Sequence, residues 1–433
     1  MLHRLKTLVP PSVLTVYHRI LAHAAALYYG NPSREMVVIG VTGTNGKTTT
    51  TYLLAKALEG AGVTAGCTTT ALMKIGRIET QNRFKMTMPG RFALQKLLRE
   101  MRDAGCTHVV IETSSQGLIQ YRHEGIAYDI GIFTNLTPEH IEAHGGFENY
   151  KKAKKMLFTH IAQQPTKQIG GKAIEKAFVL NADDEHAAFY QIEGVKTVWY
   201  GVRSALGLHP DSFTLEEHGV HAVVQGESLT LPLPGEYNLA NALAALAAGM
   251  QLGFALRPLM NGLETVKVVP GRFQRIDEGQ NFDVIIDYAP EPESFKKFYE
   301  AFEPTKHGRV IHVLGSCGGG RDVARRPILG RLAAEHADIV IVTNEDPYDD
   351  NPAEIIEHVA SGAREAGKKD GENLFVIEDR REAIRFAMKQ ARPGDAVILT
   401  GKGNEAWICG ANGSKQAWSE EAVAREAIKL AVS

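Results

Sequence analysis

The chain has 433 residues, enough at ~150 residues per domain for about three domains with large cores, which excludes a small stapled scaffold. Lys+Arg 48 against Asp+Glu 50 leaves a net charge of −2, so no global basic field exists to hold nucleic acid or an anionic membrane, although a local patch is compatible with this balance. Apolar residues at 44% and charged residues at 23% exclude extensive disorder and a coiled-coil rod.

Residues 1–35 read as an N-terminal helical segment. Its apolar stretch, Ile20 to Tyr29, is interrupted by His23 and is about half the ~20 residues needed to span a bilayer, so no transmembrane helix is expected. No cleavage site follows Arg19, which argues against a signal peptide. The segment is expected to pack on the body, with contact to a membrane or a lipid-linked substrate as the alternative. Cys67, Cys106, Cys317 and Cys409 are dispersed without ligand spacing, which signals neither zinc nor disulfides and points to a reducing, cytoplasmic compartment.

From Met36 short apolar runs alternate with helical periods: Val37–Ile39, then Thr49–Leu58, then Val109–Ile111. This rhythm predicts βαβ units and a helix-covered parallel sheet. Residues 195–233, including Gly219–Val224 and Ser228–Leu233, alternate polar and apolar positions and predict a small antiparallel hairpin region. A second α/β region follows the boundary at Pro270-Gly271, with strands at 283–287, 309–314, 338–343 and 395–400 and helices at 291–302 and 351–367.

The sharpest motif is Gly43-Thr44-Asn45-Gly46-Lys47-Thr48-Thr49, set between a strand and a helix. Glycines let backbone N–H groups close around phosphate oxygens, the helix N-terminus adds its dipole, Lys47 adds a charge, and Thr48 is placed to ligate Mg²⁺. It matches the short TGTNGKT form rather than the full GxxxxGK[ST] pattern. Glu112 closes an apolar strand where a neighbour of the phosphate loop would hold a second Mg²⁺ ligand. His140 enters a helix after another strand and suits a Mg²⁺ contact; paired with His144 it lacks a third ligand for zinc. Tyr150–Phe158 is a basic helix, by itself most often a solvated face.

TGTNGKTTT, ETSSQGL, FTNLTPEH, AKKMLF, NADD, GEYNLANALAA, PGRFQRID, DYAPEPESF, LGSCGGGRD and GKGNE occur in this order. Together they resemble the Mur ligases, and among them the MurE type, from about residue 36 to the C-terminus. The resemblance implies an α/β fold: a central P-loop-type parallel-sheet ATPase domain over 36–269, then a Rossmann-like C-terminal domain over 270–433. It implies an ATP- and Mg²⁺-dependent ligase that adds an amino acid to a carboxylate acceptor through an acyl phosphate, in peptidoglycan stem-peptide synthesis. Catalysis would rest on Lys47, Glu112, His140 and Lys154, the lysine this family carbamylates, with Lys155 the adjacent alternative. Thr48, Glu112, His140 and Lys154 would hold metal. Asn238 and Asn241 would border adenine, Arg272 the phosphates and Asp287 the ribose, so that closure of the C-terminal domain completes the ATP site. Ser114, Gln120 and Arg122 match acceptor contacts, and Thr87 is counted with them although Thr87-Met88-Pro89 departs from the family's two threonines before a proline; Gly401 and Glu405 match contacts to the incoming amino acid, whose carboxylate Arg321 would pair.

Departures from the family pattern set further expectations. Little chain precedes the phosphate loop, so the usual UDP-holding N-terminal domain is expected to be missing and the acceptor to be nucleotide- or lipid-linked. The amino-acid selector, commonly Asp-Asn-Pro-Arg, aligns with Glu345-Asp346-Pro347-Tyr348; without the arginine diaminopimelate is not favoured. Glu345, Asp346, Asp349 and Asp350 suit a cationic amino acid such as lysine, or else cap the helix near Pro352. The alternatives are a MurT-like or folylpolyglutamate-synthase-like ligase, and a nucleotide-binding scaffold without turnover. Small-molecule substrates are expected, and no nucleic acid.

Overall fold

The computed structural model describes residues 11–138, 144–303, 306–320 and 323–432. Helix α1 (Pro11–Tyr28) precedes two sheets that follow one another along the chain. The first contains β1 (Val37–Thr42), β2 (Ala65–Thr68), β3 (Leu72–Ile75), β4 (Ile78–Gln81), β5 (His108–Glu112), β6 (Ile130–Phe133), β7 (Ala177–Asn181) and β8 (Lys196–Tyr200), in the order β8-β7-β6-β1-β5-β2-β3-β4. From β8 to β2 all neighbours are parallel, whereas β3 and β4 return antiparallel at the edge.

Every residue of β1 is buried, as the unbroken apolar run at 37–41 requires. Alternate side chains serve opposite layers. Ile39 and Val41 pack with Leu53, Leu54 and Leu58 of α2 (Lys47–Gly60), whereas Val38 packs with Leu94 and Leu98 of α3 (Arg91–Asp103). Each such leucine contributes about 1.5–3 kcal/mol by leaving water. Helices α4 (Ser115–Ile119), α5 (Phe147–Gln163) and α6 (Glu236–Gln251) complete the elements around the loop ends of this sheet.

The hairpin expected over 195–233 is realised differently at its start. β8 joins the large sheet in parallel with β7, and the antiparallel unit is β9 (Ser212–Glu216), β10 (Gly219–Val224) and β11 (Glu227–Leu231). Half-buried strands alternate in either setting, so periodicity does not separate them. The tertiary contact that does is Tyr200, whose buried hydroxyl donates to the Phe133 carbonyl at 3.0 Å.

The second sheet contains β12 (Gln274–Arg275), β13 (Asp283–Ile286), β14 (Val310–Leu314), β15 (Ile339–Val342), β16 (Leu374–Val376) and β17 (Ala396–Leu399), ordered β12-β13-β17-β14-β15-β16 and parallel apart from β12. Helices α7 (Pro292–Phe302), α8 (Arg325–His336), α9 (Pro352–Glu365), α10 (Arg380–Gln390) and α11 (Glu420–Val432) accompany it. Pro270-Gly271 lies between the helix Leu256–Glu264 and β12. Among the described residues, no helix is long and apolar enough to cross a membrane.

Candidate active site

β1 lies between β5 and β6, so the chain reverses its direction of travel across the sheet at this strand and leaves a crevice beyond the strand ends. The turn from β1 into α2 fills that crevice. Gly46 takes φ 80°, and a Cβ there would sit 2.3 Å from Asn241 Oδ1; a Cβ on Gly43 would sit 1.9 Å from Thr134 Oγ1. Asn135 Oδ1 accepts from the Asn45 N–H at 2.8 Å, Thr134 donates to the Asn45 carbonyl at 2.7 Å, and Lys47 Nζ donates to the Thr44 carbonyl at 2.6 Å.

Beside this turn, Thr48 Oγ1 donates to Glu112 Oε2 at 2.9 Å. Thr70 fixes the same carboxylate with its N–H at 2.6 Å and its hydroxyl at 3.0 Å. Lys154 of α5 is buried, donates to the Gly43 carbonyl at 2.6 Å and lies 4.0 Å from the centre of the Tyr150 ring. Lys155 instead lies over Phe189 at 4.3 Å, so the register of α5 aims the first of the two lysines at the loop. His140 and Arg321 lie outside the described residues.

A cleft of about 990 Å³ runs from this turn into the second half of the chain. Thr44, Asn45, Thr49, Asn238 and Asn241 line its loop side. Arg272 and Asp287 face them from beyond Pro270, and Arg272 reaches across to donate to Thr48 Oγ1 at 3.3 Å while stacking at 4.5 Å on Tyr288. Burial raises the Asp287 carboxyl, against the pull of Arg272 and of the Phe273 and Ala289 N–H groups. Ser294 of α7 closes the gap from the other side, donating to Asn45 Oδ1 at 3.0 Å.

Farther along the cleft, Thr87 meets Thr70 at 2.9 Å, Ser114 caps α4 through the Gly117 N–H at 3.1 Å, and Arg122 donates to Gln120 Oε1 at 2.6 Å. At the far end Lys402 binds Asp346 at 3.0 Å and Glu405 at 2.8 Å, and Lys85 binds Asp346 at 2.6 Å and also Glu405. Lys85 comes from the first half of the chain and its partners from the second. Burial alone would lower the Lys85 ammonium, but the two carboxylates outweigh it and hold it protonated. Burial likewise works to raise Asp346, and Lys402 and Lys85 overcome it, leaving that carboxyl below the usual range.

The Mur ligase middle domain pattern matches residues 41–249, and that of the Mur ligase glutamate ligase domain matches residues 271–403. The UDP-N-acetylmuramyl-tripeptide synthetase of Roseiflexus sp. (strain RS-1) is 39% identical over 94% of this chain and 81% of its own. The chain belongs to the Mur ligase family. A second relative, the UDP-N-acetylmuramoyl-L-alanyl-D-glutamate--2,6-diaminopimelate ligase of Geobacillus thermodenitrificans, is 36% identical over 97% of this Mur ligase and 84% of its own length. The solved folylpolyglutamate synthase of Mycobacterium tuberculosis shares the fold with a TM-score of 0.67 at 18% identity, covering 91% of this chain and 92% of its own.

Two of the expected amino-acid contacts in this Mur ligase stand behind the cleft wall. Glu345 and Gly401 do not line the cleft: Glu345 is buried behind it, accepting from Cys317 Sγ at 2.8 Å, and a Cβ on Gly401 would sit 2.3 Å from Glu345 Oε2. The four acidic residues of that loop are engaged separately, and none of them caps the helix that follows. Asp346 is already answered by two lysines, Asp349 accepts from the Asn412 N–H at 2.7 Å, Asp350 from the Gly319 N–H at 3.1 Å, and α9 is capped by Asn351. Tyr348 does reach the cleft.

Sequence reasoning passed over Thr70, Lys85 and the buried Arg325–Glu291 pair, all on the cleft wall. Lys85 sits in no motif, and only the fold brings it to Asp346. Arg325 stands four positions beyond the Arg321 that was singled out, and a helix start there was the available signal.

Proposed function

We propose that this Mur ligase activates the carboxylate of a muramoyl-peptide-like acceptor with ATP and joins it to the amino group of an incoming amino acid. The observation that carries the reading is one cleft shared by the phosphate-type turn at 43–49 and by Arg272, Asp287, Asp346 and Glu405 from the second half. The turn suits a triphosphate: Asn45 Nδ2 and Thr137 Oγ1 are buried there without hydrogen-bond partners, and the turn leads directly into the N-terminus of α2.

In this reading Lys47 and Arg272 neutralise the phosphates, while Asn238, Asn241 and Asp287 hold the nucleoside. Thr48 and Glu112 offer hard oxygen donors that fit Mg²⁺, which when bound would neutralise phosphate charge; His140 and a carbamylated Lys154 would complete its surroundings. The acceptor carboxylate attacks the γ-phosphorus, releasing ADP and forming an acyl phosphate. The neutral amine then attacks the acyl carbon, expelling phosphate, and a proton leaves the new amide nitrogen. Ser114, Gln120, Arg122 and Thr87 line the acceptor side, and Glu405, Asp346 and Tyr348 the amino-acid side. The division of labour follows segments 1–35, 36–269 and 270–433.

Tyr348 stands where the family's selector carries arginine, so the bidentate grip on a second carboxylate is absent and an amino acid other than diaminopimelate is favoured. Mass spectrometry after incubation with ATP, Mg²⁺, UDP-N-acetylmuramoyl dipeptide and a mixture of lysine, ornithine and diaminopimelate tests this. A product heavier by one amino-acid residue identifies reaction, acceptor and selectivity together. ADP without that product moves the acceptor to a lipid-linked or non-muramoyl class, and no ADP with any acceptor favours a scaffold.

A further inference from the structure

Helix α1 is held to the body by its small side. Ala22, Ala25 and Ala26 are buried, a Cβ on Gly125 would meet the Ala22 carbonyl at 2.8 Å, and Glu124 pairs with Arg19 at 3.1 Å and His23 at 3.2 Å. The large side chains point the other way. Val13, Val16, Tyr17, Ile20, Leu27 and Tyr28 are between 54% and 76% exposed. Their spacing, with steps of three, one, three, seven and one, places them on a single outward stripe along the whole helix. A surface helix normally shows the reverse pattern, and a continuous apolar stripe, unlike scattered apolar residues, marks an interaction face. The stripe continues into Phe92, itself exposed, whose ring lies 6.2 Å from that of Tyr28.

Charge identifies what this face meets. Residues 1–34 contain Arg4, Lys6, Arg19 and Arg34 and no Asp or Glu, in a chain whose net charge is −2; Arg19 is answered by Glu124, which leaves Arg4, Lys6 and Arg34 as the basic residues of the segment that an anionic surface would meet. Basic and apolar residues without acidic ones suit an anionic lipid surface, whereas a helix this short of apolar length lies on a bilayer rather than through it. The face also adjoins the cleft: Arg91, within electrostatic reach of Tyr17, donates to the Gln120 carbonyl, and Gln120 and Arg122 line the cleft.

We propose that α1 seats the protein on an anionic bilayer, with its outward stripe in the headgroup region, and so presents the Gln120–Arg122 end of the cleft to an amphiphilic, membrane-resident acceptor. The second clause rests on the ligase reading above; the docking does not.

Flotation of the full chain with phosphatidylcholine vesicles, with and without phosphatidylglycerol, tests it. The wild type should float with the anionic vesicles and less so at high salt. Ile20→Glu with Leu27→Glu, both on exposed positions, should weaken flotation at least about ten-fold while ADP release with a soluble acceptor and the melting temperature stay unchanged. No flotation of the wild type, or equal flotation of the double variant, overturns the proposal. So does light scattering that shows a dimer dissolved by the two substitutions, which assigns the face to a second copy of the chain. A protein that floats but releases no ADP with any acceptor overturns the ligase reading alone.

Discussion

The two ends of the cleft are built on opposite plans. At the phosphate-type turn the backbone does the shaping, close contacts exclude a Cβ at Gly43 and Gly46, and polar atoms such as Asn45 Nδ2 are left without protein partners. At the far end the charged groups are already matched within the chain, two carboxylates against two ammonium groups, and one of those, Lys85, arrives from the other half. The first end is thus shaped within the first half and receives Arg272 and Ser294 from the second, whereas the far end holds its ion-pair network only while the halves are together. A reaction that needs ATP bound before the amino acid would benefit from this difference.

The sharpest way to break the comparison is at the turn. Lys47→Ala should lower acceptor-dependent ADP release by at least about 10³-fold with little change in folding, as measured by coupled assay and thermal melting. At the other end Lys402→Met should act on stability first. It leaves Asp346 and Glu405 buried with one counter-cation, a loss of about 3 kcal/mol or more by denaturant titration. Lys154→Ala should reduce turnover by about 10²-fold, with partial rescue by a short carboxylic acid, while Lys155→Ala stays near wild type. Full activity of Lys154→Ala would remove the carbamate from the reading.

Acid separates the two ends from the rest of the core. Burial lowers His123 and His312 to about 3, so both stay neutral in the native state while the unfolded chain takes up their protons near pH 6.5. Because the unfolded state binds more protons, stability falls as pH is lowered from about 6.5 toward 3, by up to about 2.7 kcal/mol per pH unit for the pair. Asp346 has a depressed pKa, so its contribution is present above about pH 4 and is lost only below it. Urea titrations across this range should show the histidine slope first. The smallest effect is expected from Lys85→Ala, which loosens the junction of the halves. It should shift KM for the amino acid by about two- to ten-fold with kcat little changed.

Much of this was legible in local pattern. The turn at 43–49, Glu112 at a strand end and the strands around 283, 310, 339 and 396 are stretches in which local composition and backbone demand agree. Period alone placed β8 in a hairpin, because an edge strand of a parallel sheet alternates in the same way. Only the fold decided that Glu345 turns away behind Gly401 and that Lys85 answers Asp346 from 261 residues away. The sequence by itself determined the strands, the glycine-rich turn and the chemistry of its side chains, because those depend on neighbours a few residues apart. Which charges meet across the cleft, and which face of α1 is turned outward, depend on how distant elements pack, and the tertiary structure alone decided them.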